Sequence, residues 1–251
     1  MSHQTSPYRY HHGLRDGLPI GLGYLSVSFG FGISAVGEGL RALEALIISM
    51  TNLTSAGQVA GVTVIVAAGT LLEMILTQLV INLRYSLMGI TLTQRLDRRC
   101  TTPHRLAMSF GITDEIFAVA ASKPHPVGPS YFYGLMTLPY VGWASGTLLG
   151  ALAGQIFPES LRTAMGIMIY AMFIAIILPP MRNNRGVLAV VLIAAGLSCA
   201  IAFLPFLSWI SAGFSIIICA IAAAALMALL RPIKDTDPAD PIEHDGEVDG
   251  K

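Results

Sequence analysis

The sequence predicts an all-α fold: a polytopic transmembrane helical protein with about six crossing helices and two shorter broken or re-entrant segments. Hydrophobic residues make up 54% of the 251 residues and charged residues only 12%, and the mean hydropathy is +0.66. A soluble domain carries roughly 25% charged residues. Polar and charged residues interrupt the apolar sequence at residues 82–85 and at residues 113–115. Charges are costly inside a membrane and usually mark a substrate or ion pathway.

Six apolar segments are long enough to cross a bilayer of roughly 30 Å. They are residues 18–36, 62–81, 131–153, 163–178, 187–204 and 209–230. Two weaker segments, residues 42–60 and 106–121, contain the polar breaks, and we expect both to be re-entrant half-helices. The alternative is an arrangement of eight crossings in which the weak segments also span the membrane.

Clusters of arginine and lysine predict the orientation, because cytoplasmic loops carry an excess of these residues. The clusters lie at residues 9–15, 95–105, 182–185 and 231–234. All four are cytoplasmic if six segments cross and the two weak segments are re-entrant. A full crossing by residues 42–60 places the cluster at 95–105 outside. The charges therefore favour six crossings with both termini in the cytoplasm.

Three regions follow from this arrangement. Residues 1–16 are a predicted cytoplasmic amino-terminal segment, and residues 17–231 are the transmembrane domain. Residues 232–251 are a predicted disordered acidic tail in the cytoplasm, with seven acidic residues from position 235 onward and almost nothing apolar. A solubilising role without a specific partner is the simplest interpretation of such a tail.

The first polar break reads TNLTSAGQVAG over residues 51–61 and is rich in small and hydroxylated residues. Unwound backbone at membrane depth is tolerated where it lines a cavity, and its free backbone groups can then contact a ligand. Asn52, Ser55 and Gln58 are therefore candidate substrate-binding residues. The alternative is a helix of small residues that packs closely against its neighbours.

Residues 82–85 read NLRY and follow the apolar run 62–81. Asn82 and Arg84 are candidate substrate-binding residues. The planar guanidinium of Arg84 suits a substrate carboxylate, or one of the acidic residues at 114 and 115. Alternatively, Arg84 snorkels to the cytoplasmic face, since its helix is expected to end nearby.

Glu73 lies within the same apolar run, where we expect it near the centre of the hydrocarbon. A proton-coupled carrier needs a carboxyl group of this type, so Glu73 is a candidate proton-coupling residue. A structural glutamate that is hydrogen-bonded to a neighbouring helix is the alternative.

The second polar break is Thr113-Asp114-Glu115. Adjacent residues point to different sides of a helix, so we expect only one of the two acidic residues to face a given cavity. Asp114 is favoured for substrate binding together with Thr113, and Glu115 is a second proton-coupling candidate. Alternatively, Thr113 and Asp114 cap the helix that follows.

Gly142, Gly146, Gly150 and Gly154 recur at steps of four, which places them in one stripe along a helix. Such a stripe lets another helix approach closely. The spacing does not distinguish a neighbour in this chain from a partner protein.

Several functional classes are not supported. The sequence contains no P-loop and neither of the hydrolase motifs H-E-x-x-H and G-x-S-x-G. We therefore expect neither enzyme activity nor ATP use. No basic stripe with interleaved aromatic residues supports nucleic-acid binding. The three widely spaced cysteines fit neither a disulfide framework nor a metal site, and no cofactor is expected.

Four sequence blocks together resemble the AzlC family, the large membrane subunit of bacterial branched-chain amino acid exporters. The blocks are GLPIG at residues 17–21, SAGQ at 55–58, INLRY at 81–85 followed by Gly89, and GITDE at 111–115. The resemblance covers residues 17–230, and its specific part is the order and spacing of the NLR and TDE blocks.

The resemblance implies a secondary exporter of branched-chain or similar small apolar amino acids in the bacterial cytoplasmic (inner) membrane. It also implies a small AzlD-type membrane subunit as partner and energy from an ion or proton gradient. Two departures from the family pattern, TNLT at residues 51–54 and Tyr85 where histidine is more frequent, affect substrate identity. A passive channel and a non-transporting membrane assembly subunit are the alternative functions.

Overall fold

The computed structural model describes residues 6–158, 160, 174, 177–182, 184–207 and 209–230. The nine complete α-helices in these ranges are α1 (Tyr10–Gly37), α2 (Ala42–Thr51), α3 (Ser55–Val66), α4 (Leu71–Thr93), α5 (Thr102–Phe110), α6 (Asp114–Ala121), α7 (Pro129–Ile156), α8 (Arg185–Phe203) and α9 (Ala212–Leu230). Residues 177–182 are also helical, and a 3-10 turn, Pro205–Leu207, separates α8 from α9. The described part of the chain contains no β-strand, so the predicted all-α fold class is confirmed.

Four of the described helices, α1, α4, α8 and α9, are long and apolar enough to cross a membrane. The predicted count of about six crossings is therefore only partly matched. α7 contains the expected crossing at residues 131–153 and has 28 residues, but it is not among these four. The expected crossing at residues 163–178 lies almost entirely outside the described residues.

α1 and α7 form a closely packed parallel pair through the predicted glycine stripe. A Cβ atom added at Gly146 would lie 2.3 Å from the carbonyl oxygen of Leu25, and one at Gly150 would lie 2.0 Å from that of Phe29. Only glycine allows the backbones to approach this closely. The stripe is therefore a packing feature, as predicted, and the neighbouring helix belongs to this chain.

α2 and α3 form a hairpin whose tip is residues 52–54. With 10 and 12 residues, each helix is roughly 15–18 Å long, which is too short to cross a bilayer. Ala45 of α2 and Val62 of α3 share one apolar cluster with Phe31 and Ala151. The two open ends of the hairpin therefore lie together, near the carboxyl ends of α1 and α7.

The prediction that residues 62–81 form one crossing helix is wrong. α3 ends at Val66 and α4 begins at Leu71. In the turn between them Ala68 has a positive φ of 50°, and the Gly69 amide donates a hydrogen bond to the Val64 carbonyl. The Thr70 hydroxyl then accepts a hydrogen bond from the Glu73 amide and caps α4.

α5 and α6 form a second, shorter hairpin whose tip is residues 111–113. Its open ends lie at the amino-terminal ends of α1 and α7. The His104 ring nitrogen Nδ1 lies 2.8 Å from the Tyr133 hydroxyl, and the Lys123 ammonium lies 2.7 Å from the Asp16 carboxylate. The two hairpins therefore enter the helix bundle from opposite ends. Each tip overlaps a predicted polar break, but the helices α3 and α6 begin within those breaks, at Ser55 and Asp114.

The connection between α4 and α5 carries the arginine cluster at residues 95–105 and contacts the amino-terminal segment. The Ser6 amide donates to Asp97 Oδ2 at 2.7 Å, and Arg99 Nη2 donates to the Ser6 carbonyl at 3.1 Å. An isolated parallel bridge joins Leu96 to Val127. This cluster therefore lies at the same end of the bundle as the amino-terminal segment, in agreement with the predicted common side.

Candidate functional site

A cavity of about 510 Å³ lies where the tips of the two hairpins meet α1, α4 and α7. Its size is typical of small-molecule sites. The lining residues come from α1, α3, α4, α6, α7, the helical stretch at 177–182 and both tips. They are Pro19, Ile20, Gly23, Tyr24, Val27, Leu53, Thr54, Ser55, Ala56, Ile81, Arg84, Tyr85, Thr113, Asp114, Glu115, Trp143 and Ile177. Most of these side chains are apolar, and the charged groups concentrate at Arg84, Asp114 and Glu115.

Arg84 projects into the cavity from the interior of α4, nine residues before the helix ends at Thr93. The expectation that the helix ends soon after Arg84 is wrong, because the helix begins nine residues later than expected and continues through the polar block. Arg84 Nη1 lies 2.8 Å from Asp114 Oδ2, and both side chains are 43% exposed. The predicted pairing with an acidic residue of the second break is present.

Arg84 also connects the two hairpin tips. Its Nη2 donates to the Tyr85 hydroxyl at 3.0 Å, and that hydroxyl donates to Thr54 Oγ1 at 3.2 Å. The chain Asp114–Arg84–Tyr85–Thr54 therefore runs from the tip of the second hairpin, across α4, to the tip of the first.

Both acidic residues of the second break line the cavity, so the expectation that only one faces it is wrong. α6 begins at Asp114, and both residues lie in its first turn. Its amino-terminal end, rather than one side, is presented to the cavity. The Tyr24 hydroxyl lies 2.7 Å from Thr113 Oγ1 and 2.5 Å from Glu115 Oε2. Thr113 also caps α6 by accepting from the Ile116 amide.

The amino-terminal end of α3 faces the same cavity through Thr54, Ser55 and Ala56. In the described structure, the Thr54 side chain makes no capping hydrogen bond to α3, and its hydroxyl accepts a hydrogen bond from Tyr85. The first backbone amides of a helix lack partners within that helix and favour negative charge. Ser55 therefore lines the cavity at a helix end that is suited to a carboxylate.

Gln58, a candidate substrate-binding residue, is not among the described residues that line the cavity. It is completely buried. Its Oε1 accepts a hydrogen bond from Trp143 Nε1, and its Nε2 donates to Ser49 Oγ, each at 2.9 Å. Gln58 thus joins the first hairpin to α7 directly behind the cavity wall.

Asn52 and Asn82 also lie outside the set of described lining residues, against prediction. Both donate side-chain hydrogen bonds to Gln78 Oε1, at 3.5 and 3.0 Å respectively. Gln78 Nε2 in turn donates to the Gly57 carbonyl at 2.8 Å. This amide cluster holds the first hairpin against α4.

Glu73 lies in the first turn of α4 rather than near the centre of a helix, so its predicted position is wrong. Its Oε1 accepts a hydrogen bond from the Gly213 amide at 2.8 Å and another from the Ser211 hydroxyl. Eleven residues of helix, roughly 16 Å, separate it from Arg84. Its bonding matches the structural alternative, in which Glu73 caps the start of α9.

Sequence reasoning missed the wall that α1 contributes. Ile20, Gly23, Tyr24 and Val27 all line the cavity. Their positions follow the i, i+3, i+4, i+7 spacing of one helix face, which is the signal that could have identified them. Trp143 was also missed, and its ring packs edge-on against Tyr24 with centroids 5.0 Å apart.

Four apolar helices of membrane-spanning length define the class, the helical membrane proteins, and broken helices around a central cavity are an arrangement that secondary transporters share. The particular family follows from sequence comparison. The family model described as AzlC protein matches residues 19–157. The chain belongs to the AzlC family, as its four sequence blocks predicted.

The relatives are membrane proteins. Over 181 residues the chain is 28% identical to "Inner membrane protein YgaZ" of Escherichia coli, covering 69% of this chain and 74% of the relative. Over 175 residues it is 33% identical to an "Uncharacterized membrane protein" of Archaeoglobus fulgidus, covering 69% and 76%. A Helicobacter pylori membrane protein is 29% identical over 140 residues, covering 54% and 60%. No solved structure matches the chain.

Proposed function

We propose that this chain is the large membrane subunit of a secondary exporter for branched-chain or similar small apolar amino acids. The observation that carries the proposal is the combination of Arg84, Asp114 and an apolar wall in one cavity of about 510 Å³. An amino acid at neutral pH presents three complementary groups: a carboxylate for Arg84, an ammonium group for Asp114 and an apolar side chain for the wall. AzlC family membership supports a transport role.

In this proposal the substrate carboxylate binds Arg84 and the free amides at the start of α3. A guanidinium presents two parallel donors to a carboxylate, and a helix amino terminus adds favourable partial charge. The substrate ammonium binds Asp114. The apolar side chain then packs against Ile20 and Trp143, which face the cavity from α1 and α7.

Substrate binding competes with the Arg84–Asp114 ion pair, because each partner has a counterpart on the amino acid. Separation of this pair weakens the connection between the two hairpin tips. The hairpins enter from opposite ends of the bundle, so a small movement of either tip opens the cavity toward one end. We propose that this exchange of ionic contacts drives alternating access around a fixed site.

We also propose six crossings with both termini in the cytoplasm. Both hairpins are re-entrant in this topology, and the arginine cluster at residues 95–105 is cytoplasmic. The contact of this cluster with Ser6 supports the common side. Within the membrane, Glu115 is the proposed proton-coupling residue because it lines the cavity, whereas Glu73 anchors α9.

A small AzlD-type membrane subunit is the proposed partner, supported by family membership. The experiment that tests the proposed function measures efflux of labelled leucine and valine from proteoliposomes. The vesicles contain this chain with or without such a subunit. We expect efflux that is accelerated by unlabelled leucine outside the vesicles, because a carrier exchanges substrate. Equilibration without counterflow indicates a passive channel, and absence of any flux from the two-subunit vesicles rejects transport.

A further inference from the structure

We propose that Gly23 sets the upper size limit of the transported side chain, an inference that rests on the proposed function. Gly23 lies on the face of α1 that lines the cavity, one turn from both Ile20 and Val27. No described heavy atom lies within 4 Å of the position that a Cβ atom would occupy there. The space that a side chain at position 23 would occupy is therefore an open part of the cavity.

Packing among the described residues does not explain this glycine, in contrast to its neighbours on α1. A Cβ atom at Gly17 would lie 2.4 Å from the Leu135 carbonyl oxygen, and one at Gly21 would lie 2.8 Å from the Leu138 carbonyl oxygen. Those two glycines are required by the close approach of α7. Glycine inside a helix costs about 1 kcal/mol relative to alanine. At Gly23 the described packing does not compensate for that cost. We therefore attribute this glycine to the space that it leaves in the cavity.

The open space lies on the part of the wall that receives the substrate side chain. The charged groups of an amino acid are held at Arg84 and Asp114, so its side chain extends toward the apolar wall of α1 and Trp143. A methyl or isopropyl group at position 23 occupies the same space as the end of a long substrate side chain. Short side chains, such as that of alanine, do not reach this part of the cavity.

The variants Gly23→Ala and Gly23→Val test the inference in proteoliposomes that contain the small subunit. Counterflow of labelled alanine and labelled leucine is measured for each variant. A misplaced methylene in a specificity pocket changes discrimination by about 10-fold or more. We expect Gly23→Val to lower the leucine-to-alanine rate ratio at least about tenfold and Gly23→Ala to lower it less.

Gly37→Val provides the matched control, because Gly37 lies on the same helix, has no described heavy atom within 4 Å of its Cβ position and does not line the cavity. We expect the control to keep the wild-type ratio. An unchanged ratio in both Gly23 variants, with wild-type protein active, overturns the role of Gly23 and leaves the proposed function standing. If Gly23→Val fails to fold, the ratio measured for Gly23→Ala decides. Absence of amino acid transport by the wild type refutes the proposed function and this inference together.

Discussion

Arg84 and Asp114 are thirty residues apart in sequence, and their charged groups meet at 2.8 Å. The contact joins the interior of α4 to the first residue of α6. Both side chains remain 43% exposed, so each charged group can still contact a ligand in the cavity. The consequence is a site in which a cation and an anion are held together yet accessible to a zwitterionic ligand.

The glycine stripe predicts a stability effect within this chain. Gly146→Leu places a Cβ atom 2.1 Å from Ser28 Oγ and 2.3 Å from the Leu25 carbonyl oxygen. Overpacking of this kind typically costs about 1–3 kcal/mol. We expect a lower thermal unfolding temperature in detergent. Gly196→Leu on α8 is the control, because no described atom lies within 4 Å of its Cβ position. Equal unfolding temperatures for the two variants would contradict the α1–α7 contact.

Asp97 predicts a pH dependence of stability. Its carboxylate is 2% exposed. Burial alone raises its pKa, but hydrogen bonds from the Ser6 amide and from Arg99, with the charge of Arg99, hold the pKa below its ordinary value of 3.8. The folded state therefore gains stability from ionised Asp97 at pH values above 3.8, and this gain is lost as pH falls through the lowered pKa.

Asp97→Asn removes that charge, and hydrogen bonds to charged groups contribute about 1.5–3 kcal/mol. We expect the variant to unfold at a lower temperature than the wild type at neutral pH. The difference should narrow as the pH falls below 3.8. A difference that is constant across this range would show that Asp97 does not titrate as described.

The topology predicts opposite accessibility for Arg98 and Ala42. Each is replaced by cysteine in a chain whose three native cysteines have been removed, and intact cells are treated with an impermeant thiol reagent. We expect Ala42→Cys to be labelled from outside, and Arg98→Cys only after the membrane is permeabilised. Labelling of both positions from the same side rules out re-entrant hairpins with six crossings.

The two glutamates predicted for proton coupling should behave differently. Glu115→Gln removes an ionisable group from the cavity, and we expect substrate exchange to continue while accumulation driven by a pH gradient is lost. Glu73→Gln retains a hydrogen-bond acceptor for the Gly213 amide, so gradient-driven export should persist. Loss of coupling in the Glu73 variant alone would reverse this assignment.

The sequence located the two hairpin tips approximately, but it predicted one helix over residues 62–81, where the structure has the end of α3 and the start of α4. The hairpin tips at residues 52–54 and 111–113 could be located approximately, because they overlap the polar residues at 51–61 and 113–115. The turn at residues 67–70 consists of Ala-Ala-Gly-Thr, which is apolar enough to read as continuous helix. Hydropathy alone cannot detect a turn that is defined by a positive φ at Ala68 and a threonine cap.

The reliance on polarity and hydropathy also explains which residues the sequence assigned to the site. Arg84, Thr113 and Asp114 were identified because charge and polarity are rare in apolar sequence. Gln58 was equally conspicuous, yet its amide group binds Trp143 and Ser49 inside the protein. Whether a buried amide meets a ligand or a neighbouring helix depends on tertiary contacts, and one sequence does not contain that information.

Counterflow of labelled leucine by Arg84→Lys tests the central claim, that Arg84 binds the substrate carboxylate in this cavity. Lysine keeps the positive charge but cannot reproduce the planar fork of guanidinium donors. Loss of a hydrogen bond to a charged group costs about 1.5–3 kcal/mol, which corresponds to roughly a 10- to 150-fold change. We expect a loss of this size at wild-type protein levels. Normal leucine counterflow by Arg84→Lys would contradict the account.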